Sequence, residues 1–115
     1  MENFSKLIAT QKLFFNSQNT KNIAFRKQTL KRLKIEIIKR EQDIIVALYE
    51  DLKKPEFEAV LSETEIILSE LNLTLKNLNS WAKPKRIFPS MLNFPSSDKI
   101  YSEPYGNVLI ISPWN

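Results

Sequence analysis

The four residues Ser112-Pro113-Trp114-Asn115 combine side chains and a setting suited to chemistry. An asparagine amide carries two N–H donors, and such donors can stabilise a developing oxyanion. Asn115 is therefore the candidate catalytic residue, with Trp114 able to wall a pocket and Pro113 holding the turn rigid. The alternative is a turn in which Asn115 bonds its own backbone. Elsewhere the usual catalytic side chains are missing. There is no Cys and no His, which removes the thiolate nucleophile, the disulfide, the commonest general base and the commonest metal ligand. Glu63 with Glu65, and Glu50 with Asp51, are the nearest approach to a carboxylate couple. Helical neighbours one or two apart point away from each other, so these are solvent-facing charges. No metal-ligand spacing occurs.

The densest charge lies between Lys21 and Arg40, where eight basic residues face a single acid, Glu36. One reading is a basic helix against nucleic acid or another anionic surface. Phe25 is the one aromatic there, which is little for base stacking. The other reading is the solvated side of an amphipathic helix whose inner side carries Leu30, Leu33 and Ile37.

The elements that must position these groups follow from periodicity. Phe4, Leu7, Ile8, Phe14 and Phe15 predict a helix from about Asn3 to Phe15, with Gln11 interrupting the stripe. A polar loop over 16–20 follows, with Asn19 or Thr20 as the expected N-cap of the next helix. Lys21 to Lys53 is helical by pattern, through Leu30, Leu33, Ile37, Ile44, Leu48 and Leu52. Arg40-Glu41-Gln42-Asp43 interrupts its stripe, so either one long helix or two with a tight break is expected. Pro55 ends that stretch and suits the first turn of the next helix. The stripe from Phe57 through Leu78 to Trp81 carries that helix to about Ala82, where Pro84 stops it. Prolines then recur and the helical period disappears, predicting extended segments or an irregular β-ribbon. Val108 to Ile111, β-branched at three of four positions and preceded by the chain's only glycine, reads as a strand buried on both faces of a parallel sheet. A loop after such a strand lies where open α/β sheets gather ligands.

The 115 residues suffice for one modest domain, and their 43% hydrophobic and 26% charged content is ordinary for a globular protein. The formal charge of +4 is a mild excess. The first residues lack a secretory pattern, and no apolar stretch approaches the roughly 20 residues that cross a bilayer. A cytoplasmic, reducing setting is the expectation. The buried strand needs neighbours, and the chain stops where a Rossmann-like unit would begin, so it reads as the front of a larger protein.

Ser102-Glu103-Pro104-Tyr105-Gly106-Asn107 through Ser112-Pro113-Trp114-Asn115 resembles a segment of the aldehyde dehydrogenase superfamily. There a Glu-Pro-x-Gly stretch leads through an apolar strand to a Trp-Asn pair. The resemblance runs upstream through the order of the helices, the Leu-x-x-Trp-Ala ending at Leu78 to Ala82, and the proline-rich arm. It is strongest to the class 3 branch and covers essentially the whole chain. It implies NAD(P)⁺-dependent oxidation of aldehydes to carboxylic acids through a thiohemiacetal on a cysteine. Asn115 then matches the asparagine that binds the substrate oxyanion, and Ser112, Pro113 and Trp114 match the loop lining the cofactor cleft. It also implies a fold that is mainly α here and part of a larger α/β enzyme. Its parts are a helical segment at 1–84, an arm at 85–104 like those that join subunits, and the first strand and loop of the cofactor domain at 105–115. A homodimer or larger homo-oligomer is implied, and neither nucleic acid nor a membrane span. Asn107 departs from the family, which usually has an apolar residue there. The catalytic cysteine and the glutamate base would lie beyond residue 115, so these residues alone are expected to be inactive. The competing expectation is a free-standing basic helical module that binds nucleic acid or a protein partner through the Lys21–Arg40 face.

Overall fold

The computed structural model describes residues 4–112. Helix α1 (Phe4–Asn16) is followed by a 3₁₀ turn at Asn19–Lys21 and then by α2 (Ile23–Lys39) and α3 (Glu41–Leu52). Next come α4 (Glu56–Ala59), a π-helical turn at Val60–Thr64 and α5 (Glu65–Trp81), followed by strands β1 (Lys85–Ile87) and β2 (Asp98–Ile100).

The cap of α2 is Asn22, not Asn19 or Thr20. Gln18 turns the chain in the left-handed region at φ 65°, and Asn19–Lys21 is spent on the 3₁₀ turn. The Asn22 carboxamide then accepts from the N–H groups of Ala24 and Phe25 at 2.8 and 3.3 Å, satisfying two donors of the first turn. Of the two possibilities for 21–53, the tight break is the one observed. Arg40, at φ −106° and ψ 14°, separates α2 from α3. Lys39 closes α2, whereas Glu41 and Asp43 open α3, so each charge sits at the dipole end that favours it.

Lys53 ends α3 in the left-handed region at φ 55°, with its ammonium 5.1 Å from the Tyr49 ring centre. Pro55 then stands one position before the first helical turn rather than inside it. Its ψ of 150° is extended, which makes it the N-cap residue of α4. α5 ends at Trp81, with Ala82 as its C-cap, two residues ahead of Pro84.

Packing is concentrated where α2 and α3 run against α4, the π turn and α5. Ala59 and Thr64 are fully buried, and Ile45 and Leu71 nearly so. The Thr64 hydroxyl donates to Glu41 Oε1 at 2.7 Å, so the wide turn ends on a residue tied to the start of α3. Lys34 Nζ donates to Asn72 Oδ1 at 2.7 Å across α2 and α5. The expected ribbon is present as an antiparallel pair, with Lys85 opposite Ile100 and Ile87 opposite Asp98.

Val108–Ile111 forms no ladder, unlike the buried parallel strand its composition predicts. A strand requires a neighbour alongside it for its N–H and C=O groups, and the one sheet among the described residues consists of β1 and β2 alone. The four side chains are 71% to 83% exposed.

The molecule measures 64 × 36 × 26 Å with a radius of gyration of 19.9 Å; a compact domain of this length has about 13 Å. Its accessible surface is 10363 Å², whereas a folded monomer of this mass exposes about 6,500 Å². These residues therefore bury about 30% less surface on folding than a self-sufficient domain does. The denaturant slope scales with that surface, so the urea m-value of the isolated chain should be about 30% below that of a compact protein of equal length. The transition should be broad. A steep, fully cooperative urea melt followed by circular dichroism would contradict this.

Candidate functional site

The C-terminal approach segment 103–108 lies across the junction of α1, the 3₁₀ turn and α2. Gly106 has φ +105°, a conformation open to glycine and strained for other residues. A Cβ placed on it would lie 3.5 Å from the Phe15 ring, so the bare backbone rests against that ring. Asn107 Nδ2 donates to the Ile8 carbonyl of α1 at 3.1 Å. Lys21 Nζ stands 4.0 Å from Glu103 Oε1; that exposed pair contributes little. The Phe14 and Phe25 rings meet at 5.9 Å between centroids, joining α1 to α2. Between these elements opens a hollow of about 370 Å³, walled by Phe15, Phe25, Leu30, Leu78 and Pro104, with Arg26 at its edge. The Arg26 Nε donates to the Thr20 carbonyl, which holds the guanidinium at the rim.

Ser112, the first residue of the predicted loop, is exposed and in no regular element. Pro113, Trp114 and Asn115 lie outside the described residues. The remaining candidates resolve as structural. Glu63 pairs with Lys54 at 2.5 Å, Glu41 accepts from Thr64, and Glu50, Asp51 and Glu65 are exposed. No group of three or more carboxylate, His or Cys side chains able to hold a metal occurs among the described residues. In the basic stretch, Lys21, Arg26, Lys34 and Arg40 are engaged by Glu103, Thr20, Asn72 and Glu36 respectively. Lys31, Arg32 and Lys39 lie on the exposed side of α2, as an amphipathic surface helix predicts.

The contact of Asn107 with α1 was not foreseen from periodicity. Its signal in the sequence is a polar residue at the head of an apolar run. The Thr64–Glu41 bond had no such signal, because the π turn that aims Thr64 leaves the apolar spacing unbroken.

No family model matches the chain. A search of curated proteins finds 45% identity over 104 residues with 4,4'-diaponeurosporen-aldehyde dehydrogenase of Staphylococcus aureus, covering 90% of this chain and 23% of that protein. Aldehyde dehydrogenase family 3 member I1, chloroplastic, of Arabidopsis thaliana is 44% identical over 101 residues, covering 88% of this chain and 18% of that protein. The rat aldehyde dehydrogenase family 3 member B1 is 35% identical across all of this chain and 25% of its own length. Among solved structures, the substrate-bound state of Staphylococcus aureus AldH matches with a TM-score of 0.88 at 39% identity, over 91% of this chain and 23% of that one. The chain thus spans about a quarter or less of the length of the relatives it matches. Along nearly all of its length the chain is therefore similar, in sequence and in fold, to part of class 3 aldehyde dehydrogenases.

Proposed function

We propose that these residues are the helical layer, the arm and the first strand of an NAD(P)⁺-dependent aldehyde dehydrogenase that oxidises aldehydes to carboxylic acids. The observation that carries the proposal is the 45% identity to an aldehyde dehydrogenase over 90% of the chain. In this reading residues 1–84 are the helical segment, 85–104 the subunit-joining arm, and 105–115 the entry to the cofactor domain. The exposed Phe88, Met91, Leu92 and Phe94 of the arm support an assembly role, since contiguous apolar surface marks interaction sites.

Asn115 is the oxyanion donor. When a nucleophile adds to the aldehyde carbonyl, negative charge develops on its oxygen, and the two amide N–H groups are suited to bond it there. Ser112, Pro113 and Trp114 line the approach to the nicotinamide cofactor. The described residues do not form a seat for that cofactor by themselves. Ser112 is exposed, and the apolar hollow opens elsewhere, between α1, α2 and Pro104. No helix among the described residues is long and apolar enough to cross a membrane; the cytoplasmic setting is part of the proposal.

The 115 residues contain no cysteine and so cannot form the covalent thiohemiacetal. The isolated chain mixed with aldehyde and NAD⁺ or NADP⁺ is expected to give no reduced cofactor above the blank at 340 nm. The enzyme that contains it is expected to turn over under the same conditions. Absence of aldehyde-dependent reduction in that enzyme refutes the assignment.

A further inference from the structure

We propose that the outward face of α2 docks on an anionic lipid surface. Lys31, Arg32 and Lys39 are exposed on this face, and so are Ile35 and Ile38, at 60% and 51%. Lys31, Ile35 and Lys39 follow one another at steps of four, while Arg32 and Ile38 each stand three residues from Ile35. The five side chains therefore form one continuous surface. The side of α2 that meets α5 is a different one. Lys34 marks it by donating to Asn72 at 2.7 Å, and Leu30 and Ile37 are half-buried there. Glu36 is the one acid of α2, and it is turned to Arg40 at 3.4 Å. Among the described residues Lys31, Arg32 and Lys39 have no ion-pair partner.

Two kinds of uncovered surface occur in this molecule, and their chemistry separates them. On α1 and α5 the open residues are apolar: Phe4, Leu7, Ile8, Ile66, Ile67 and Leu73 are each 47% to 68% exposed. A neighbouring protein layer covers surface of that kind at a gain. Under such a layer, three unpaired cations would lose their hydration with nothing to replace it. The outer face of α2 therefore belongs at the surface of the enzyme. At an anionic bilayer the same cations keep their water and gain counter-charge, and the isoleucines among them reach the boundary of headgroups and acyl chains. Nucleic acid fits this face less well. Base stacking needs aromatic rings, and Phe25, the one aromatic of α2, packs against Phe14 instead.

Flotation of the enzyme that contains this chain, with vesicles of phosphatidylcholine and phosphatidylglycerol in equal parts, tests the proposal. The whole enzyme is used because the isolated chain also leaves α1 and α5 open. At about 0.1 M salt the enzyme should float with these vesicles and stay off vesicles of phosphatidylcholine alone. At about 1 M salt the Debye length falls from about 10 Å to about 3 Å, and binding should be lost. Lys31→Glu, Arg32→Glu and Lys39→Glu combined should weaken binding about a hundredfold. Lys31→Arg with Lys39→Arg keeps the charge and should bind as wild type. Ile35→Ser with Ile38→Ser should weaken binding about tenfold, a loss that a purely electrostatic contact would not show. Circular dichroism of every variant should match wild type, since the altered side chains are exposed. A wild-type enzyme that stays off the anionic vesicles overturns the proposal, and so does a charge-reversed variant that still floats with them. Full binding by the serine variant overturns the part assigned to the isoleucines. Capture of single-stranded RNA through these residues, without vesicle binding, overturns the choice of lipid. Flotation is read without aldehyde or cofactor, so its outcome is separate from that of the dehydrogenase assignment.

Discussion

With Asn115 as the proposed oxyanion donor, replacing it by alanine in the enzyme that contains this chain should lower kcat for aldehyde oxidation by about 10²–10³-fold, the usual effect of removing one such donor. The reason lies in when the bond is made. A neutral aldehyde oxygen is a modest acceptor, whereas the oxygen of the addition intermediate carries a negative charge, and hydrogen bonds to charged groups are roughly twice as strong. The interaction is therefore worth more in the transition state than in the bound substrate, so the loss should fall on kcat with the KM little changed. Asn115→Asp is the sharper variant. It preserves size and replaces the two donors by a carboxylate that repels the developing charge, so its kcat should lie below that of Asn115→Ala. Steady-state rates of cofactor reduction measure both. A mutant within twofold of wild type would remove Asn115 from the chemistry and return it to the turn role.

How much of this was legible in sequence depends on the range of the forces involved. Pro55 and Pro84 act locally, through a missing N–H and a fixed φ, and the helix boundaries they predict are found within a residue or two. The break at Arg40 was narrowed to two possibilities because the charges that favour it are local as well. The α2 cap was misplaced because Asn19, Thr20 and Asn22 are all competent caps. The choice among them was made by the left-handed turn at Gln18 and by Arg26 engaging the Thr20 carbonyl. The π turn was invisible, since its benefit is a contact between residues 41 and 64. Val108–Ile111 has the composition of a buried strand, but a ladder is a property of two segments, and composition specifies only one of them. Of the candidate site, Asn115 is an expectation from its chemistry and its motif and lies outside the described residues. The Asn107–Ile8 bond had no sequence signal of its partner, because it joins residues at opposite ends of the chain.

Leu71→Ala should cost about 2–5 kcal/mol, which is most or all of the stability a chain with this little buried surface can have. Leu71 is 8% exposed, in the part of α5 that packs on α2. Truncation there leaves a cavity between two helices that have few other buried contacts to hold them. In the isolated chain the urea transition should then be lost, with residual helicity declining gradually from zero denaturant. Leu73→Ala is the informative partner. Leu73 is 47% exposed, so in the isolated chain its truncation should cost less than about 0.5 kcal/mol, as surface changes do. If the uncovered side of α5 is built to be covered in the whole enzyme, the same substitution there removes buried area and should cost about 1–3 kcal/mol. The contrast between the two contexts is what matters, because a residue that is merely a surface leucine costs the same small amount in both. Equal and small penalties for Leu73→Ala would mean that this side of α5 faces solvent in the enzyme as well. The excess surface of the chain would then have to be covered along α1, the arm and Val108–Ile111 alone.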